Sequence, residues 1–332
     1  MENLDSSVEE FSQFSSISSS SNDRTESPNT SLLPALWDLP PGHGLQPSDA
    51  FAQYYKDCLI FIEGPGLAIH TKQDLIDLIN FIRHRTTITR AELTADFEKH
   101  CSSIGSSLSA LEAAIRIWLM ISIDGWEPHR TLQEYINGLF PRMDANPSHS
   151  GVKPFPLSFN INNIRKIGGF DIAWTESLEN HLTMSVDGTP KQLRVFHMAP
   201  FLQGYRHSCS QVFPPGLLEE TARTISLLIP FSNLECRKWM RKTRIKAGLD
   251  IEEGRLPIVS RDISQYPYWG RQLLELRDEY DRTEPTTLKQ WFRDKRNPNQ
   301  RYTFWIAAIA LSLALLFGLI QSITGILQVI YK

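Results

Sequence analysis

Apolar residues recur at spacings of three and four through much of this chain. Leu75, Ile76, Ile79, Phe81 and Ile82 form one such set, and Leu111, Ile115, Trp118 and Leu119 another. That period places an apolar stripe on one side of a helix. Near several stripes a hydroxyl residue stands three positions before a carboxyl residue. Thr89 precedes Glu92, Ser109 precedes Glu112, Thr131 precedes Glu134 and Ser232 precedes Glu235, with Thr71 before Asp74 a weaker case. In such a box the two side chains satisfy orphan N–H groups at a helix start. The pattern predicts helices over about 49–62, 72–85, 90–101, 108–123 and 132–140, and again over about 216–229, 232–247, 268–282 and 286–296.

Between these blocks the period shortens to two. Phe170, Ile172 and Trp174 alternate with Asp171 and Ala173, which predicts a short strand. Gly168-Gly169 before it suits a turn. Thr175 then caps a predicted helix to about Leu182. Strand-like pieces at 183–186 and 192–198 follow, joined as a hairpin through Asp187-Gly188. Strand, helix and hairpin in that order resemble a winged-helix module. The stretch is not strongly basic, which weighs against nucleic acid as a partner.

From Phe304 to Ile320 periodicity gives way to 17 residues with no charge and one hydroxyl, and apolar character continues to Tyr331. A bilayer core of roughly 30 Å needs about 20 helical residues, so this stretch predicts a transmembrane helix within 302–331. Trp291, Phe292, Tyr302 and Trp305 on one side and Tyr331 on the other suit the headgroup level. Lys289, Arg293, Lys295, Arg296 and Arg301 precede the span and only Lys332 follows it, which places the N-terminal side in the cytosol. The first 31 residues carry six acids and one arginine and do not read as a signal peptide, so the expected topology is tail-anchored. Without a basic tail beyond the span, the endoplasmic reticulum or another endomembrane is favoured over the mitochondrial surface. Within the span Ala307, Ala310, Ala314, Gly318, Ser322 and Gly325 fall on one face, with Gln321 and Gln328 beside them. Small residues let helices pack closely in lipid, so the expected partners are membrane lipid and a second copy or partner helix.

The fold class is therefore mainly α: a helical cytosolic domain, a small β element and one C-terminal transmembrane helix. The expected organisation is a Ser-rich acidic tail and Pro/Gly connector at 1–47, a helical region ending in the hairpin at 48–205, a helical membrane-proximal region at 206–299, and the anchor at 302–331. Residues 1–31 hold 11 serines and sum to −5, and such a segment buries too little to order itself.

Chemistry is scarce in the pattern. The four cysteines, Cys58, Cys101, Cys209 and Cys236, are isolated, which suits a reducing compartment and no zinc site. The nine histidines are scattered, although His181 and His197 flank the predicted hairpin. No phosphate loop or nucleophile elbow occurs. No catalytic, cofactor or metal residue is assigned, and no cofactor is expected. Arg237, Lys238, Arg241, Lys242, Arg244 and Lys246 make a run of +6 over 237–246. It reads either as a solvated helix face with Trp239 in the core, or as a surface that meets anionic lipid. The function expected is interaction or scaffolding at a membrane. An enzyme or regulator whose site is assembled from distant residues, and a tethered winged-helix-like binding module, are the alternatives.

Several stretches resemble a large uncharacterised family of filamentous-fungal proteins. The resemblance lies in Lys289 to Pro298 with its Trp291-Phe292 pair, in Tyr302-Thr303-Phe304-Trp305, in Phe317 to Ser322 and in Leu327-Gln328-Val329. Upstream, Thr89 to Thr94, Trp174 to Leu178, and the stretch from His181 to His197 are also similar to it. Members carry a polar residue, often an acid, where this chain has Thr324-Gly325. The resemblance implies a membrane-anchored helical protein and no activity.

Overall fold

Two helices show how local sequence builds the body. Helix α3 (Lys72–Arg83) starts where Thr71 and Asp74 exchange hydrogen bonds, at 2.8 and 3.1 Å, in a complete capping box. It buries Leu75, Leu78, Ile79 and Ile82, one continuous stripe. Helix α6 (Leu132–Leu139) starts from the equivalent Thr131–Glu134 box. The computed structural model describes residues 32–39, 49–60, 71–100, 108–143, 153–188, 190–205, 208, 212–247, 249, 251, 260–283 and 298–330. The acidic tail, the predicted helix at 286–296 and the cations Lys289, Arg293, Lys295 and Arg296 lie outside those residues, as do Trp291, Phe292, Tyr331 and Lys332.

The remaining helices are α1 (Leu32–Trp37), α2 (Asp49–Ile60), α4 (Arg90–His100), α5 (Leu108–Leu119), α7 (Ile161–Lys166), α8 (Ala199–Tyr205), α9 (Leu217–Leu228), α10 (Leu234–Ala247), α11 (Gly270–Arg282) and α12 (Pro298–Ile330). Strands β1 (Phe170–Thr175), β2 (Met184–Ser185) and β3 (Lys191–Phe196) form a mixed sheet in the order β1-β3-β2. The molecule is thus mainly helical with one small sheet and one C-terminal apolar helix. The β2–β3 pair is antiparallel, with Met184 opposite Leu193. β1 runs parallel to β3, with Phe170 opposite Lys191 and Thr175 opposite Phe196.

Some local expectations are corrected. Ser109 lies inside α5 rather than before it, and Glu112 accepts from Arg90 Nη2 at 2.7 Å instead of closing a box. α10 is capped by Asn233, whose Oδ1 accepts from the N–H groups of Glu235 and Cys236 at 3.0 Å, and not by Ser232. Glu235 is drawn away to Asn162 and Lys166, which fastens α10 to α7. Thr175 caps no helix; only a 3₁₀ turn, Leu178–Asn180, separates β1 from the hairpin. The winged-helix likeness therefore stops at element order, because a three-residue turn offers no helix to lay in a groove. Part of the predicted connector is helix α1, where Trp37 meets Phe51 and Phe201 edge-on at 5.5 Å. Gly168 and Gly169 do make the turn into β1. A Cβ on Gly168 would stand 2.5 Å from the Ile164 carbonyl oxygen, and Gly169 has φ +73°.

One apolar cluster runs from Leu33 to Tyr280. The regions 48–205 and 206–299 share it, joined by Met143 N–H to the Pro267 carbonyl at 2.6 Å, Phe155 N–H to Arg261 at 2.8 Å and Gln133 Nε2 to Val212 at 2.7 Å. No residue of the span in α12 adds to this core.

Candidate functional site

Four features of the described residues bear on function: the C-terminal helix, the basic helix, two clefts, and a buried polar network behind the sheet. α12 is one helix long and apolar enough to cross a membrane, with a span of 27 residues from Tyr302 to Gln328 and mean hydropathy 2.4. At 1.5 Å per residue that span measures about 40 Å, more than the roughly 30 Å required. Two of its hydroxyls are satisfied within the helix: Ser312 Oγ donates to the Ala308 carbonyl at 2.8 Å and Thr324 Oγ1 to Ile320 at 2.6 Å. That matters in hydrocarbon, where no water replaces a missing partner. Because the helix is continuous, Ala307, Ala310, Ala314, Gly318, Gln321, Ser322, Gly325 and Gln328 fall within an arc of about 120°. All eight are exposed. Arg301 lies in the first turns of α12.

α10 turns Cys236 and Met240 into the core and Lys238, Arg241, Lys242 and Arg244 outward. Lys246 closes the run in the same helix. Arg237 is half-buried, its guanidinium 4.4 Å above the Phe231 ring. Trp239 is not a core residue. It is half-buried and stacks on Trp174 of β1, with centroids 6.2 Å apart, while Arg165 sits 5.3 Å over it. An open groove of about 560 Å³ lies there, lined by β1 residues including Asp171, by Gln192, and by Trp239 and Lys242 of α10.

The second cleft, of about 470 Å³, gathers Tyr54, Asp57 and Cys58 from α2, Glu112 and Arg116 from α5, and Glu176 after β1. Sequence reading missed it, since these residues come from three separate stretches. Its groups are already engaged. Glu112 pairs with Arg90, Arg116 with Asp124, and Glu176 Oε1 lies 3.3 Å from His197 Nε2. Tyr54 Oη donates to the Arg116 carbonyl at 2.7 Å, and burial raises its pKa well above the ordinary value. Burial pushes the Cys58 thiol up to about 11, far from the thiolate a nucleophile needs. The His197 contact holds Glu176 below the usual carboxylate range. Among the described residues no group of three His, Cys, Asp or Glu could hold a metal ion.

His181 and His197 do not converge on one site. Phe196 N–H donates to His181 Nδ1 at 3.1 Å, so the ring proton sits on Nε2 and donates to Thr224 Oγ1 at 2.7 Å. Thr224 donates to the Thr221 carbonyl at 2.6 Å, and Trp269 Nε1 donates to Thr221 Oγ1 at 2.8 Å. Glu220, one residue before Thr221 on α9, receives the N–H groups of Tyr268 and Trp269 at 2.7–3.0 Å where α11 begins. Burial pushes Glu220 up to about 7 and His181 down to about 3. This network locks β3, α9 and α11 together, and nothing in the periodicity announced it.

No protein-family model matches this chain, and neither a curated protein nor a solved structure does.

Proposed function

We propose that this chain is a single-pass membrane protein, held by Tyr302–Gln328, whose helical body faces the cytosol of an endomembrane and serves as an interaction scaffold. The observation that carries the reading is the span itself: a 27-residue uncharged, mostly apolar helical stretch with none buried, beside a body that hides most of its apolar surface. The cations before the span support the orientation, with the endoplasmic reticulum as the favoured membrane. The resemblance to filamentous-fungal membrane-anchored proteins points the same way.

A glycosylation reporter tests the topology. With an acceptor sequon appended after Lys332, the appended site is glycosylated in a cell, whereas Asn29 in the natural Asn29-Thr30-Ser31 sequon stays bare. The reverse pattern overturns the orientation. The scaffold role is tested by proximity labelling with the span present and deleted. The same labelled neighbours from both forms would mean that the span does not set location.

The Tyr54–Cys58–Glu112 cleft favours a second reading, an enzyme whose site is assembled from distant residues. It has a direct check in the thiol. At pH 7 Cys58, with its pKa near 11, reacts with iodoacetamide at least about a hundredfold more slowly than a free cysteine, followed by peptide mass spectrometry of the intact chain. Reaction at the free-cysteine rate would show an activated thiol and favour the enzyme.

A further inference from the structure

The body hides most of its large apolar side chains, and three of the five exceptions lie on or just before one helix. Outside α12, the exposed ones among the described residues are Leu157 (77%), Val186 (46%), Phe231 (57%), Leu234 (57%) and Ile245 (82%). Leu234 and Ile245 are on α10, and Phe231 stands just before it.

Along α10, Leu234, Lys238, Arg241 and Ile245 follow at spacings of four, three and four, so they share one outward stripe. Lys242 and Arg244 flank it, also exposed. Among the described residues Lys238, Arg241 and Lys242 make no ion pair. The face thus has apolar ends and a cationic middle, with the half-buried Trp174–Trp239 pair along one side. Scattered exposed apolar side chains are ordinary, but Leu234 and Ile245 share one stripe with Lys238 and Arg241 between them. A membrane interface accounts for all three components, since cations attract anionic headgroups, indoles favour the headgroup level and aliphatic tips enter the acyl boundary.

The occupant follows from the chain's own connectivity. α11 ends at Arg282 and α12 begins at Pro298, so residues 283–297 join the body to the span. That stretch reaches at most about 55 Å. Such a tether keeps α10 at a high effective concentration beside the bilayer.

We propose that the outward face of α10, with Phe231, docks on an anionic membrane surface and sets the orientation of the body over the bilayer. This rests on the reading of α12 as a span. The test uses the full chain carrying Ile245→Cys, reconstituted into vesicles of phosphatidylcholine alone or with a third phosphatidylserine. The substituted side chain is 82% exposed, so the fold does not depend on it. A membrane-impermeant maleimide reads the thiol at position 245, with the parent chain subtracted. Modification is about fivefold or more slower in the anionic vesicles at low salt. Adding Lys238→Gln, Arg241→Gln, Lys242→Gln and Arg244→Gln makes the two rates equal. Alkaline carbonate extraction of the same vesicles reads α12 separately. A chain that resists extraction, yet reacts equally fast in both vesicles before the Gln substitutions, overturns the docking and leaves the span. A chain that is extracted overturns the span, and the docking with it.

Discussion

Glu220→Ala lowers the thermal unfolding midpoint of the body by roughly 8–16 °C, read by circular dichroism of the full chain in detergent. The carboxylate is fully buried and receives two buried backbone donors, Tyr268 N–H and Trp269 N–H. Alanine leaves both without an acceptor where α11 begins. An unsatisfied buried N–H costs about 1–3 kcal/mol, so the pair costs about 4 kcal/mol. For a body of this size each kcal/mol moves the midpoint by about 2–4 °C. Glu220→Gln with its oxygen in the Oε1 position still accepts from both donors and turns an amide only toward the Tyr268 N–H, so its loss is smaller. A shift under about 3 °C for Glu220→Ala would show that the carboxylate does not hold α9 and α11 together.

The second large effect is in the pH dependence of stability, where His181 and Glu220 oppose each other. Burial lowers the His181 pKa from 6.5 to about 3, so the unfolded chain binds its proton first as pH falls. Its stabilisation is complete above pH 6.5 and is lost downward, by about 5 kcal/mol at pH 3. Burial raises the Glu220 pKa from 4.5 to about 7, so the folded chain holds that proton longer as pH rises. Its stabilisation is present below pH 4.5 and is lost upward through pH 7, by about 3 kcal/mol. Between pH 4.5 and 6.5 the two slopes, each about 1.4 kcal/mol per pH unit, cancel. Glu220→Gln removes one slope and uncovers the other. Relative to the parent, its stability therefore rises by about 2–3 kcal/mol from pH 4.5 to 6.5 in urea titrations. Exposed carboxylates such as Glu92 and Glu134 titrate alike in both proteins and drop out of the comparison. A variant whose profile parallels the parent's would mean that Glu220 does not keep its proton in the folded chain.

Helices α3 and α6 were legible because their signals are local: a reciprocal cap and a buried stripe within a dozen residues. The same rule failed at Ser109 and Ser232, where the carboxyl partner three residues on found a stronger tertiary partner. Arg90 takes Glu112, and Asn162 with Lys166 takes Glu235. Helices α1, α7 and α8 were missed for a different reason. At six or seven residues each completes fewer than two turns, too few for a period to show, and each is held by packing, as Trp37 is by Phe51 and Phe201. The basic run of α10 is visible as a run, and one of its two readings puts Trp239 in the core. Its stacking on Trp174 depends on where β1 lies, which residue spacing along α10 does not encode.

The sequence by itself determined the helical class of the body, the short strands, and the apolar helix at the C-terminal end. These follow from period, capping and uninterrupted hydrophobicity, all short-range properties of the chain. Only the tertiary structure decided which polar groups distant in the chain meet. The parallel pairing of β1 with β3, the link from His181 through Thr224 to α9, the burial of Glu220 under α11 and the gathering of Cys58 with Glu112 and Glu176 all join residues far apart in the chain. A histidine or glutamate reads the same in sequence whether solvated or buried. Its pKa and its share of the stability come from the desolvation and hydrogen bonds that folding supplies.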